Sequence, residues 1–132
     1  MSQENVEVVM RWFELFGRGE HEAALRYVDP AIETHEGVEL PGAASYFGHA
    51  GLAMAYDHWA SQFDDLRIEL KELIDAGSAV VAVTRHHGTG RASGAAVQAV
   101  VAYVVAVEDG KLVRMRIFNT KTQALQAVGL RE

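Results

Sequence analysis

The chain has 132 residues and a mass of 14.4 kDa, with 12 basic and 18 acidic residues and a formal net charge of −6. This length predicts a single domain over residues 1–132, and the 49% hydrophobic content predicts a packed core. The absence of cysteine excludes disulfide bonds, thiolate nucleophiles and cysteine zinc sites. The acidic balance, without a cluster of lysine and arginine, argues against nucleic acid as a partner.

The apolar pattern also argues against a membrane partner. The longest unbroken apolar run, Ala99–Val107, has nine residues, whereas a bilayer span needs about 20. Met1–Arg11 carries acidic residues where a secretory leader would be basic and apolar. We therefore expect a cytoplasmic protein.

The first half of the chain predicts three helices. Apolar residues recur at helical spacing in Val6–Phe16, which indicates a first helix with one buried face. Glu20–Val28 predicts a short second helix, and Asp29-Pro30 ends it. A stripe of large side chains predicts a third helix: Leu52, Tyr56, Trp59 and Phe63.

Two stretches between these helices have other patterns. Ala31–His35 predicts a short strand. Glu36–Gly48 holds three glycines and Pro41, and it predicts a loop over the surface or over the mouth of a pocket.

The second half of the chain has the alternating period of strands. Leu66, Ile68 and Leu70 alternate with charged residues, and Ala79–Thr84 is rich in β-branched side chains. Turns are predicted at 76–78, at 92–95 and at Asp109-Gly110, the last being the strongest hairpin signal in the chain. The pattern predicts four long antiparallel strands, followed by a short helix over Lys121–Val128.

This order of elements predicts an α+β domain in which the helices cover one face of the sheet. The later strands are apolar on both faces, since Val101 and Tyr103 alternate with Val100 and Val104. Because the helices pack on one face of the sheet, the apolar side chains of the other face must be buried by something else. A homodimer formed through the sheet face is therefore expected.

The Asp109-Gly110 turn predicts which residues share a face with the aromatic stripes. A two-residue loop pairs Glu108 with Lys111, and hence Tyr103 with Arg116 and Val101 with Phe118. Across the preceding turn, Arg85 and His87 join the same face if the loop preserves parity. A slip of one residue substitutes Thr84 and His86.

The histidines give only a weak indication of a metal site. His86 and His87 are adjacent in a strand, so they point to opposite faces and do not chelate one ion together. The six histidines form no helical pair at ligand spacing. We expect neither a metal nor another cofactor.

Several segments together resemble the nuclear transport factor 2-like superfamily, most closely its SnoaL-like branch. The resemblance is carried by Trp12–Phe16, the acidic start of the second helix, Asp29-Pro30-Ala31, Gly48–Phe63 and Glu108–Phe118. It implies a cystatin-like conical α+β barrel: a strongly bent, mixed, mostly antiparallel sheet wrapped around three N-terminal helices and a pocket, usually in a dimer. The superfamily includes isomerases, cyclases, hydrolases and binding subunits, so the resemblance does not identify a reaction.

The ketosteroid isomerases of this superfamily use an aspartate base, a tyrosine and a protonated aspartate. The resemblance places these positions at His35, Trp12 and Tyr103, respectively. The Tyr103 phenol can still donate a hydrogen bond to an enolate, and so can the Trp12 indole. Steroid isomerase activity itself is disfavoured, and so is the epoxide hydrolase pattern, which needs an inward Asp-Arg-Asp set.

Two hypotheses follow for the function. In the first, the protein acts on a small apolar carbonyl compound by cofactor-independent proton transfer. His35 is the base, and Tyr103 holds the oxygen together with Trp12 or Arg116. In the second, the pocket binds a hydrophobic ligand without chemistry or supports dimerisation. His35 and Arg116 also have ordinary interpretations as solvated polar residues. Candidate ligand-binding residues are Trp12, Phe16, Tyr27, Tyr56, Trp59, Phe63, Arg85, His87, Val101 and Phe118.

Overall fold

A computed structural model describes residues 2–37 and 44–130 of the chain. The helices are α1 (Ser2–Gly17), α2 (His21–Ala24), α3 (Gly48–Ala60) and α4 (Lys121–Ala127), with a 3-10 turn at Leu25–Tyr27. The strands are β1 (Val28–Glu36), β2 (Ser45–Phe47), β3 (Phe63–Asp75), β4 (Val80–Gly90), β5 (Ala96–Glu108) and β6 (Lys111–Phe118). Among these helices, none combines the length and apolar character needed to cross a bilayer.

The six strands form one sheet in the order β2-β1-β6-β5-β4-β3. All neighbours are antiparallel except β1 and β6, which are parallel, so the sheet is mixed. Irregularities in the pairing of β1, β3 and β6 increase the local bend. The α+β architecture and the bent, mostly antiparallel mixed sheet predicted from the sequence are thus confirmed.

The inner face of the sheet packs against α1 and α3. Val9, Trp12 and Phe13 of α1 are buried in one core with Tyr103 of β5 and Met115 of β6. Apolar residues at helical spacing bring one face of α1 onto residues that alternate along the strands. This packing holds the helices above the concave side of the sheet.

The outer face is partly covered by α4, which the sequence interpretation did not assign to it. Val83 of β4 and Val104 of β5 pack against Ala124 and Leu125 of this helix. Thr120 caps the helix, because its side-chain oxygen accepts a hydrogen bond from the Gln123 amide. The expectation that no helix remained for the second face was wrong for this part of the sheet.

The structure differs from the sequence in the extent of the shorter elements. The first strand spans Val28–Glu36 rather than Ala31–His35, so it includes Val28, where the second helix was expected to end, and Asp29-Pro30, which was expected to stop that helix. That second helix is only a short turn of α helix followed by a 3-10 turn. The predicted loop Glu36–Gly48 contains β2, which pairs with β1. Its residues 38–43 lie outside the described part of the chain.

The predicted hairpin between β5 and β6 forms, but its register shifts beyond the turn. Asp109 and Gly110 both have positive φ, at 51° and 75°, as a tight two-residue hairpin turn requires. Glu108 pairs with Lys111 as predicted, but the pairing shifts at Val113. Tyr103 therefore pairs with Ile117 rather than Arg116, because a bulge adds one residue to β6. The predicted pairing of Val101 with Phe118 is wrong for the same reason.

Candidate functional site

A cavity of about 350 Å³ lies between α1, α3 and the inner face of the sheet. Its walls are mainly aromatic and aliphatic, which is typical of sites for small apolar molecules. The rings pack closely: Trp12 stacks on Phe16 with centroids 4.9 Å apart, and Phe16 meets Tyr56 edge-on at 4.8 Å. The lining includes Trp12, Phe13, Phe16, Thr34, Glu36, Leu52, Tyr56, Trp59, Ile68, His86, Val101, Tyr103, Met115 and Ile117.

Three polar side chains form a chain of hydrogen bonds in the cavity wall. Trp59 Nε1 of α3 donates to His86 Nδ1 of β4 at 2.8 Å. His86 Nε2 lies 3.2 Å from the Tyr103 hydroxyl of β5. His86 and Tyr103 are both buried, with exposed fractions of 4% and 7%. A helix and two neighbouring strands are thereby tied together inside a mainly apolar wall.

The direction of these hydrogen bonds follows from the indole of Trp59. An indole nitrogen only donates, so His86 Nδ1 must be unprotonated to accept. A neutral imidazole then carries its proton on Nε2, which donates to the Tyr103 oxygen. The phenolic proton of Tyr103 is not used in this contact. Tyr103 is therefore prepared to act as a hydrogen-bond donor from the cavity wall.

The electrostatics of the buried groups agree with these protonation states. Burial, with a smaller contribution from neighbouring His87, lowers the pKa of His86 to about 4. Burial also raises the pKa of Tyr103 well above its ordinary value, opposed in smaller part by the Thr84 hydroxyl. At neutral pH His86 is uncharged and Tyr103 retains its proton. His86 is thus unsuited to act as a base, and Tyr103 is suited to donate a hydrogen bond.

Glu36 supplies the carboxylate in the described lining of the cavity. It is half-buried at the end of β1 and accepts a hydrogen bond from the Tyr46 hydroxyl at 3.2 Å. Burial, together with the charge and the hydrogen bond of Glu36, raises the pKa of Tyr46. Of the two carboxylate oxygens, only Oε1 is engaged by Tyr46, so the group retains capacity to accept a proton.

His35, the base predicted from the resemblance, lies on the opposite face of β1. Side chains alternate along a strand, so the buried Thr34 and the cavity-lining Glu36 place His35 and Glu33 outside. His35 Nδ1 lies 2.7 Å from Ser45 Oγ, and its Nε2 lies 3.0 Å from Glu33 Oε1. The structure therefore places His35 outside the described lining of the cavity, where the sequence interpretation had expected it, and the neighbouring Glu36 lines the cavity instead.

Arg116 and three candidate ligand-binding residues also lie on the outer face. Arg116 lies over the ring of Phe118 at 6.0 Å, and Phe118 packs with the residues that α4 covers. The bulge in β6 turned both residues outward. Arg85 donates to Gln98 at 3.2 Å, and His87 contacts Glu69 at 3.0 Å. The loop between β4 and β5 selects the alternative parity, so Thr84 and His86 point inward.

Most of the remaining predicted site residues line the cavity, and two pack against the residues around it. The structure places six of them in the wall: Trp12, Phe16, Tyr56, Trp59, Val101 and Tyr103. Tyr27 packs against the core below the cavity, and Phe63 meets Trp59 edge-on at 4.9 Å without lining the cavity. Their roles in binding stay predictions.

Sequence reasoning did not select Glu36, Thr34 or Ile117, and it gave His86 only as an alternative. One available signal was Arg85, because a charged side chain on the same parity as His87 disfavours that parity inside an apolar cavity. The alternation of Ile32 and Thr34 with Glu33 and His35 was a second signal. Within residues 2–37 and 44–130, no three histidine or acidic side chains come together as a metal site would need.

Comparisons with known proteins agree with this architecture. An NTF2-like protein from Burkholderia thailandensis E264 is 28% identical, with a TM-score of 0.75 over 92% of this chain and 97% of that chain. TerC, crystallised with polyporic acid, is 20% identical, with a TM-score of 0.77 over 95% and 98% of the two chains. A ketosteroid isomerase-like fold from Catenulispora acidiphila, in complex with trimethylamine, is 11% identical, with a TM-score of 0.71 over 94% and 93%.

The last two similarities concern the fold alone. No protein of curated function matches the sequence. Residues 9–115, most of the chain, match the SnoaL-like domain. The chain therefore belongs to the SnoaL-like domain family within the NTF2-like fold, as its sequence resemblance indicated.

Proposed function

We propose that this protein binds a small, mainly apolar carbonyl compound and catalyses proton transfer next to the carbonyl group without a cofactor. The observation that carries the proposal is the hydrogen-bond chain from Trp59 through His86 to Tyr103. It directs a phenolic donor from the wall of a cavity that is otherwise mainly apolar. A donor held in this way stabilises an oxygen on which negative charge develops.

The proposed base is Glu36, in place of His35. Its carboxylate takes a proton from the carbon next to the carbonyl, and the electrons of the C–H bond move to the carbonyl oxygen. Tyr103 donates a hydrogen bond to that oxygen. Return of the proton from Glu36 to another carbon of a conjugated enolate gives an isomer. Alternatively, the enolate carbon attacks a second carbonyl of the ligand and closes a ring. The C=O electron pair then moves to that oxygen, which takes the proton back from Glu36. Neither outcome needs an external oxidant or reductant.

Solved structures of the same fold support a small-molecule site. TerC was crystallised with polyporic acid, and the protein from Catenulispora acidiphila was crystallised with trimethylamine. Both chains match this one over more than nine tenths of their length. The chemical class of ligand proposed for this protein is inferred from the residues that line its own cavity.

Replacement of Tyr103 by Phe tests the donor. The wild type should bind 1-tetralone, a bicyclic ketone, more tightly than tetralin, the hydrocarbon without the oxygen. Tyr103→Phe should reduce the affinity for 1-tetralone about fivefold, since one hydrogen bond contributes roughly 1 kcal/mol. The affinity for tetralin should stay the same. Calorimetric titration measures both, and an equal loss for the two probes would contradict a donor role.

Binding without turnover is the alternative function. Glu36 already accepts a hydrogen bond from Tyr46, and the buried His86 holds both of its nitrogens in hydrogen bonds. If Glu36 serves only to anchor Tyr46, the cavity binds a ligand and performs no chemistry. The two functions differ in the effect of a Glu36 substitution on proton exchange.

We further propose that the protein forms a homodimer through the part of the outer sheet face that α4 leaves open. Val100 lies there beside Arg85 in the pairing of β4 and β5, and it is 38% exposed. Phe47 of β2 pairs with the outward Glu33 and is 64% exposed. Together these exposed apolar side chains favour contact with a second copy.

Val100→Asp should convert this dimer to a monomer, because it replaces an apolar interface side chain by a carboxylate that loses its hydration on association, even with Arg85 beside it. Size-exclusion chromatography with light scattering should give twice the 14.4 kDa chain mass for the wild type and the single mass for the variant. Met54→Asp is the control, since Met54 is 62% exposed on α3, away from the sheet. A wild-type monomer at micromolar concentration would contradict the dimer.

The cytoplasmic location stays a prediction from the sequence.

A further inference from the structure

Two buried polar atoms in the cavity wall have no hydrogen-bond partner in the described part of the chain. They are Trp12 Nε1 and Thr34 Oγ1. Trp12 is 4% exposed, Thr34 is 0% exposed, and both residues line the cavity. Buried polar groups in native proteins are nearly always paired. Two unpaired groups in one apolar cavity therefore need a common explanation.

Neither side chain is placed to turn elsewhere for a partner. The Trp12 indole is stacked on Phe16 at 4.9 Å and meets Phe13 edge-on at 4.7 Å. Thr34 lies in the middle of the sheet, where β1 pairs with β2 on one side and with β6 on the other. The ring contacts and the strand pairing thus keep both side chains in the cavity wall.

We infer that these two groups form a second polar subsite, which recognises an acceptor oxygen of the ligand apart from the carbonyl at Tyr103. This inference rests on the proposed binding of a carbonyl compound in the cavity. The Trp12 indole only donates, and the Thr34 hydroxyl both donates and accepts. The ligand atom facing Trp12 is therefore an acceptor, such as an ether or carbonyl oxygen, and it is neither an ammonium group nor a metal ion.

The sheet separates Thr34 from the donor at Tyr103. Thr34 on β1 pairs with Met115 of β6, and Tyr103 on β5 pairs with Ile117 of β6. Strand β6 thus lies between the two residues, and two strand spacings amount to about 10 Å. The ligand class that fits is a mainly apolar, ring-containing ketone with a second oxygen across its skeleton.

Matched probes test the second subsite. The 5-, 6- and 7-methoxy derivatives of 1-tetralone add an ether oxygen at different positions, and the corresponding ethyl derivatives add the same bulk without the oxygen. In the wild type, at least one methoxy isomer should bind about fivefold tighter than its ethyl counterpart, as expected for one hydrogen bond. Trp12→Phe should abolish this preference, because phenylalanine keeps an aromatic ring at this position but has no N–H group to donate.

A second variant and a spectroscopic measurement keep the test independent of the folding of Trp12→Phe. Thr34→Val replaces the unpaired hydroxyl by a methyl group, so its melting temperature should be equal to or above that of the wild type. Its preference for the methoxy probe should nevertheless fall. In the ¹⁵N-labelled wild type, the indole N–H resonance of Trp12 should shift with the methoxy probe and not with the ethyl probe.

Failure of this inference is distinguishable from failure of the proposed function. If 1-tetralone binds in a Tyr103-dependent manner but no methoxy isomer exceeds its ethyl counterpart, the second subsite is overturned and the proposed function stands. If 1-tetralone binds no better than tetralin, the carbonyl site is overturned, and the second subsite is overturned with it.

Discussion

Glu36→Gln is expected to slow the exchange of the protons next to the carbonyl of 1-tetralone at least about a hundredfold, the usual scale for removal of a general base. Glutamine keeps an oxygen that accepts from the Tyr46 hydroxyl, so the hydrogen bond at the end of β1 is preserved. It has no carboxylate to take a proton. Proton NMR in D₂O follows the exchange directly and requires no knowledge of the natural substrate.

The control for this prediction lies three residues away on the same strand. Glu33 points to the outer face, where it contacts His35, so Glu33→Gln removes the same charge without changing the cavity. The Glu33→Gln variant should exchange the protons next to the carbonyl of 1-tetralone at the wild-type rate, and so should His35→Ala. Equal rates for Glu36→Gln and the wild type would exclude Glu36 as the base. The protein would then be a binding module of the same fold.

The sequence predicted the larger features of the fold because they depend on repeated patterns. The stripes of α1 and α3, the alternation in β3 and the Asp109-Gly110 turn each involve several residues that agree with one another. Because several residues contribute to each hydrophobic period, one irregular residue does not hide it. The short strand β2 was missed because its three residues follow a glycine-rich segment and contain no run long enough to show alternation.

The site was less predictable, because it depends on strand parity rather than on the presence of strands. A single bulge at Val113 exchanges Arg116 for Ile117 on the inner face, and nothing at the turn itself signals it. The aromatic wall was predictable because Trp12, Tyr56 and Trp59 belong to helical stripes. The hydrogen-bond chain was not, since it joins α3, β4 and β5 at three points far apart in the sequence.

The positions of charged residues along β4 and β6 indicate the register that the hairpin turn alone did not predict. Arg114 and Arg116 share one face of β6, whereas Met115 and Ile117 share the other, and only the latter pair suits an apolar interior. The same comparison on β4 favours Thr84 and His86 over Arg85 and His87. When the geometry of a hairpin turn and the hydrophobicity of a face disagree, the face is the better guide to register, because burying one arginine without a partner outweighs the cost of one bulge.

Acidification from pH 6.5 to pH 4 is expected to destabilise the wild type through His86 by about 3 kcal/mol in the free energy of unfolding. The pKa of His86 is about 4 in the folded protein and near 6.5 in the unfolded chain. Between these values the unfolded chain binds a proton that the folded protein does not, so stability falls as the pH falls. Above pH 6.5 both states are neutral at His86, and its contribution no longer depends on pH.

His86→Gln isolates this contribution, because glutamine offers an acceptor to Trp59 and a donor to Tyr103 but does not titrate. Urea unfolding at several pH values should show a wild-type slope steeper than that of the variant by up to about 1.4 kcal/mol per pH unit between pH 4 and 6.5. The outer pairs of His35 with Glu33 and His87 with Glu69 are present in both proteins, so the difference between the two slopes reports on His86. Parallel slopes would mean that His86 takes up a proton in the folded state. The indole of Trp59 would then face a second N–H group, and the directional argument for Tyr103 as a donor would fail.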